Sequence, residues 1–163
     1  MGQSTRVIGQ YAASDKKINH TVVEHDSDWI NFFKNDFELS ANTKVQQLDY
    51  EILPYKDTEV RQYKDFSKTF AGRKFDFIFI DAPLGGDMKD FSRVDVALLL
   101  PEILNDSFVI MLDDYNRPQK QHTLAQMEEI LKQNNIAYKR GIYSGQKQTA
   151  LICSMDVSFL TSM

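Results

Sequence analysis

Short apolar runs alternate along the chain with longer segments whose apolar residues recur at helical spacing. Within Ser4 to Ala13, Val7, Ile8, Tyr11 and Ala12 form the stripe of a short helix packed on one side, which Ser4 or Thr5 is suited to cap. Thr21-Val22-Val23 is β-branched and too short for a helix, so it predicts a buried strand ending in Glu24-His25-Asp26. Asp26 or Ser27 then caps a second helix with Trp29, Ile30, Phe33 and Phe37 on one face, a stripe that is more often core than cofactor box. Lys44 to Leu48 predicts a third strand leading to Asp49, and an irregular stretch continues through Pro54.

Further along, Val60, Tyr63, Phe66 and Phe70 predict a third helix that stops at Gly72. Phe75 to Asp81 is a near-continuous apolar run, as in a central strand covered on both faces. Pro83, Gly85 and Gly86 break the chain, and a fourth helix is expected from about Ser92 to Leu104, kinked or restarted at Pro101. Phe108 to Leu112 is a second apolar strand, ending in Asp113-Asp114. Pro118 opens a fifth helix with Leu124, Met127, Ile130 and Leu131 inward, and Asn134-Asn135 closes it. Two last strands, around Ile136 to Tyr143 and Thr149 to Met155, flank the short Ser144 to Gln148 segment, which predicts an antiparallel hairpin.

Strands alternating with crossover-length helices imply one mostly parallel sheet between two helical layers, a single α/β domain over 1–163. In such sheets ligands bind beyond the carboxyl ends of the strands, and there stand Glu24, Asp49, Asp81, Asp113 and Asp114. Strand-end acids also serve solubility, so position alone does not assign them. A length of 163 residues with 42% hydrophobic and 26% charged suits one core. The net charge of -4 argues against a surface that neutralises nucleic-acid phosphates and favours a small-molecule partner. No apolar run approaches the roughly 18 residues of a membrane span, and the start lacks a signal peptide's hydrophobic segment, so a cytoplasmic location is expected. The lone Cys153, in an apolar run, predicts a buried thiol. Met1-Gly2 invites a myristoylation reading, but Arg6 stands where that motif wants Ser or Thr.

With these residues in view, the chain from Gly2 to Met155 resembles the class I, Rossmann-like S-adenosylmethionine-dependent methyltransferases. Gly2-Gln3-Ser4-Thr5 matches the tail of the family's glycine-rich turn, Val22-Val23-Glu24 its second strand with the ribose-binding acid, and Phe75 to Asp81 its fourth strand. Glu24 follows Gly2 by 22 positions, near the ~20 expected between a nucleotide-binding glycine turn and its acid. The family's first strand and earlier glycines would precede Gly2, so the expectation is a domain lacking its first strand, with two sheet edges left unpaired.

The resemblance implies S-adenosyl-L-methionine as cofactor, with Gly2, Ser4, Thr5, Glu24, His25, Asp49, Tyr50 and Asp81 lining its site and Asp81 catalytic. Glu24 would accept from the ribose hydroxyls and Asp49, beside Tyr50, from the adenine amino group. Asp81, Asp113 and Asp114 look like the metal site of the cation-dependent O-methyltransferases, the group that includes catechol O-methyltransferase, with Mg2+ or another hard divalent cation as the ion. Asp113 and Asp114 also suit capping of the next turn, and Asp81 a contact with cofactor or acceptor without metal. Gly85-Gly86 is read as a flexible lid or a plain turn, and Arg93 and Arg117 as holders of an anionic acceptor or as surface arginines. The expected function is O-methylation of a small molecule or sugar, with no nucleic-acid or membrane partner and a homo-oligomer left open. A non-catalytic Rossmann-like structural domain and a nicotinamide-dependent dehydrogenase are the rivals.

Overall fold

The computed structural model describes residues 2–162, and the chain falls into two compact units, Met1–Tyr50 and Glu51–Met163. In the first unit, helix α1 (Gln3–Ser14) is followed by strand β1 (His20–Glu24), helix α2 (Ser27–Asp36) and strand β2 (Thr43–Gln47). β1 and β2 pair in parallel from His20↔Thr43 to Glu24↔Gln47. Gly2, not Ser4 or Thr5, caps α1, and its N–H donates to Thr5 Oγ1 at 3.3 Å. The inward face of α1 is Thr5, Gly9 and Ala12, while Val7 and Tyr11 are exposed. A Cβ on Gly9 would stand 3.8 Å from Thr43 Oγ1, an ordinary contact, so small residues face inward where large ones were expected without a close approach requiring it.

Asp26 caps α2 as its side chain allows, accepting from the Asp28 and Trp29 amides. Ile30 and Phe33 are buried, but Trp29 is 42% exposed and stacks on exposed Phe32. The aromatic stripe therefore supplies fewer core residues than its spacing promised.

The second unit opens with strands β3 (Tyr50–Tyr55) and β4 (Thr58–Tyr63), paired as a two-stranded sheet, where an irregular stretch and a helix were expected. Helix α3 is only Phe66–Phe70, closed by Gly72 at φ 72°. Val60 and Tyr63 are buried strand residues whose three-residue separation also fits a helix; Lys56, at φ 54°, makes the turn. Strands β5 (Phe75–Ile80), β6 (Leu104–Leu112), β7 (Tyr138–Ser144) and β8 (Gln148–Ser154) form one sheet in the order β5-β6-β8-β7. β5 and β6 are parallel, whereas β8 runs antiparallel to both β6 and β7, as the hairpin signal predicts.

Two expectations fail in this sheet. Among the described residues β5 is an edge strand whose Phe77 is 43% exposed, so it is not covered on both faces. The fourth helix shrinks to a single 3-10 turn at Ala97–Leu99, because Arg93 at φ 60° and Pro101, which lacks an N–H, interrupt the helical path. Helix α4 (Pro118–Gln133) starts on its proline and lays Leu124, Met127 and Leu131, all fully buried, against the core, while Ile130 is half-buried. Ile110, Leu112, Ile152 and Cys153 are likewise at 0% exposure, and each buried aliphatic of this size contributes about 1.5–3 kcal/mol. A 3-10 segment, Met155–Thr161, ends the fold. No described helix is long and apolar enough to cross a membrane.

Candidate functional site

Each unit carries acids at its strand ends. In the first, Glu24 closes β1 and is itself buried. Its Oε1 accepts from the backbone amides of His25, at 2.8 Å, and Asp26, at 3.3 Å. His25 Nδ1 lies 2.9 Å from the same oxygen, and the His25 ring meets Tyr50 edge-on with centroids 4.7 Å apart. Leu48 N donates to Glu24 O, and Gln47 Nε2 to His25 O, tying the ends of β1 and β2 together. Asp49 and Tyr50 follow on the β2 side, both exposed. The unit thus groups Glu24, His25 and Tyr50: a fixed carboxylate acceptor beside two rings. Gly2, Ser4 and Thr5 lie at the start of α1, and a Cβ on Gly2 would meet no atom within 4 Å.

In the second unit the β5–β6 register places the acids. Ile80 pairs with Leu112, and Asp113 N donates to Ile80 O, so Asp81 and Asp113-Asp114 leave adjacent strand ends together. One oxygen from each of the three lies within 4.8 Å of the others. Asp114, at φ 57°, turns its carboxylate back beneath the strand ends and is buried.

Arg93 organises the cluster. It is 4% exposed, and its guanidinium donates to Asp113 O at 3.1 Å, Pro83 O at 3.4 Å and Ile80 O at 3.5 Å. The same guanidinium pairs with Asp81 at 3.3 Å and Asp114 at 3.5 Å. It therefore clamps both strand ends, rather than waiting at the surface for an acceptor. Lys147, from the β7–β8 turn, lies 2.9 Å from Asp114 and 3.8 Å from Asp113, and Arg117 lies 3.6 Å from Asp114. Thr149 Oγ1 donates to Asp113 Oδ1 at 3.2 Å.

These neighbours set the charges. Burial pushes the Asp81 carboxyl above its ordinary range; the Arg93 guanidinium opposes this, and the charges of Asp113 and Asp114 reinforce it. For Asp114 burial acts in the same direction but is outweighed by the Lys147 hydrogen bond and by Arg117 and Arg93, so its carboxyl sits below the usual value. Hydrogen bonding to Asp114 holds the Lys147 ammonium above its usual value. Behind the cluster, fully buried Lys120 donates to Ser92 Oγ at 2.6 Å, and burial, with the charges of Arg93 and Arg117, brings its ammonium down to about 8.

The loop after β5 is packed on this floor. A Cβ on Gly85 would stand 2.5 Å from Ser92 Cβ and 3.4 Å from Lys120 Nζ, so Gly85 is a close-approach glycine and not a loose lid hinge. Arg61 of β4 grips Asp87 through both oxygens, at 2.9 and 2.8 Å, and Gln119 and His122 of α4 hold the Met88 and Asp90 carbonyls. Sequence reading singled out Arg93 and Arg117 without their partners and gave no role to Arg61, Lys120 or Lys147. Lys147 alone left a signal, as the cation in a hairpin turn that returns beside β6.

No family profile and no curated protein matches the chain. Among solved structures, a "putative caffeoyl-CoA O-methyltransferase" from Staphylococcus aureus superposes with a TM-score of 0.53 at 14% identity, over 89% of this chain and 68% of that one. The "delta-N METTL16 MTase domain" gives 0.52 at 16% identity, over 93% of this chain and 69% of that one. At such identities the likeness concerns the fold: the chain has the mixed α/β fold found in class I methyltransferases.

Proposed function

We propose that this chain is an S-adenosylmethionine-dependent methyltransferase that methylates a small molecule or sugar at oxygen. The observation that carries this reading is Glu24, a buried acid at the end of a parallel strand whose carboxylate is oriented by two backbone amides beside the His25 and Tyr50 rings. In this reading Glu24 accepts from the ribose hydroxyls, and Asp49 with Tyr50 and His25 takes the adenine. The amino end of α1, with Gly2, Ser4 and Thr5, takes the polar tail. When bound, the cofactor supplies a methyl group activated by a sulfonium, so the protein's share is alignment and electrostatics.

Asp81 is assigned the proton. It is half exposed at the strand end, and burial together with the neighbouring acids raises its affinity for a proton. With the cofactor bound and supplying the activated methyl group, Asp81 would be the group that receives the acceptor's hydroxyl proton. Phe77, exposed on the unpaired edge of β5, supports the further reading that another strand, the family's first, completes this sheet. The net charge of -4 favours a small acceptor over a nucleic acid.

Calorimetric titration with S-adenosylhomocysteine tests the proposal. One saturable site is expected, weakened about tenfold or more by Glu24→Ala, the worth of a charged hydrogen bond. Absence of binding would leave the structural-domain reading instead.

A further inference from the structure

The donor set at the β5 and β6 ends does not fit the metal that the three acids suggested. A hard divalent cation takes six or more oxygens and relies on carboxylates whose lone pairs face it. Here five of the six carboxylate oxygens already have a side-chain cation or hydroxyl within 3.8 Å. Asp81 Oδ1 meets Arg93, Asp113 Oδ1 meets Thr149, and Asp113 Oδ2 meets Lys147. Asp114 Oδ1 meets Lys147, and Asp114 Oδ2 meets both Arg93 and Arg117. Three carboxylates thus face three cations, and Arg93 cannot swing away, because its guanidinium is also held by three backbone carbonyls and is 4% exposed. A divalent ion within the cluster would lie against both a guanidinium and an ammonium.

We infer that Arg93 and Lys147 close the Asp81–Asp113–Asp114 cluster to divalent cations, so that the transfer proposed above runs without a metal. The inference rests on the methyltransferase reading only in its second half. A bound metal would hold and ionise the acceptor oxygen. Without the ion, the acceptor must be a group whose single oxygen is nucleophilic once Asp81 takes its proton. Arg93 is the fixed part of this closure and Lys147, more than half exposed on a hairpin turn, is the removable part.

Mn2+ titration followed by electron paramagnetic resonance reads the closure directly, on the full 163-residue chain. Wild type is expected to show no saturable binding up to about 1 mM, the weak end of protein divalent sites. Lys147→Met, at an exposed position that leaves the core intact, is expected to bind Mn2+ about tenfold or more tightly than wild type. Saturable wild-type binding that Asp113→Asn abolishes would overturn the inference, and so would equal binding, strong or absent, by wild type and Lys147→Met. The titration needs no cofactor. Failure to bind S-adenosylhomocysteine with the expected Mn2+ pattern therefore removes the methyltransferase reading alone, whereas thioether binding together with wild-type Mn2+ binding removes this inference alone.

Discussion

The two units solve the same problem, an acid at the end of a buried strand, in different ways. Glu24 is held by its own turn, through amides one and two residues away. Asp81, Asp113 and Asp114 are held by cations remote in sequence: Arg93 from the loop after β5, Arg117 from the entry to α4 and Lys147 from the last hairpin. A local cap fixes the carboxylate's orientation through the chain's own amides. A remote ion pair neutralises the carboxylate's charge and makes the site part of the fold's own stability. The first arrangement suits recognition of neutral hydroxyls, and the second suits a proton acceptor whose charge is moderated by its neighbours.

The sharpest way to break this comparison is to remove the remote clamp. Arg93→Met leaves Asp114 buried with fewer partners and frees three carbonyls, so thermal unfolding should show a loss of about 3–5 kcal/mol. Glu24→Gln should change stability by far less, because its amide oxygen still accepts from the same turn. Equal losses in the two variants would erase the distinction.

Asp95 sharpens the contrast from the other side, as an acid in the second unit with no cation beside it. It is buried, Oδ1 accepts from Tyr63 N at 2.7 Å, and Oδ2 is without a hydrogen-bond partner. Burial pushes its carboxyl up to about 6. The folded chain therefore binds this proton more tightly than the unfolded chain does. The stabilisation is full below about pH 4, is lost as pH rises through about 6, and amounts to about 2–3 kcal/mol. The stability gap between Asp95→Asn and wild type should move by that amount, in the variant's favour, between pH 4 and pH 7 in denaturant titrations. A gap that stays constant with pH would show that Asp95 ionises as freely as in the unfolded chain.

A smaller effect concerns the floor under the β5 loop. Gly85→Ala drives a methyl to 2.5 Å from Ser92 Cβ and should cost about 1–3 kcal/mol as overpacking, measured by thermal unfolding. A neutral result would show that the loop floats free of Ser92 and Lys120.

What the sequence disclosed follows the same divide between local and remote. β1, β5, β6 and the β7–β8 hairpin were legible because unbroken apolar runs and a short turn have few alternative structures. Glu24 was legible for the same reason, since its place at a strand end is a local property. The β3–β4 pair was misread because Val60, Tyr63, Phe66 and Phe70 keep helical spacing across what is a strand and a separate short helix. The closure of the acidic cluster left a single trace, the lysine in the hairpin turn, and its register was not legible. Lys147 reaches Asp113 only because β8 pairs antiparallel with β6, setting Ala150 against Leu112, and no periodicity in the chain encodes that register.

Hydrogen exchange with and without S-adenosylhomocysteine tests the central claim most directly, namely that Glu24 and the turn that orients it form an adenosyl site. The account predicts that saturating thioether slows exchange of the His25 and Asp26 amides. Unaltered exchange at His25 and Asp26 under saturating ligand would contradict it.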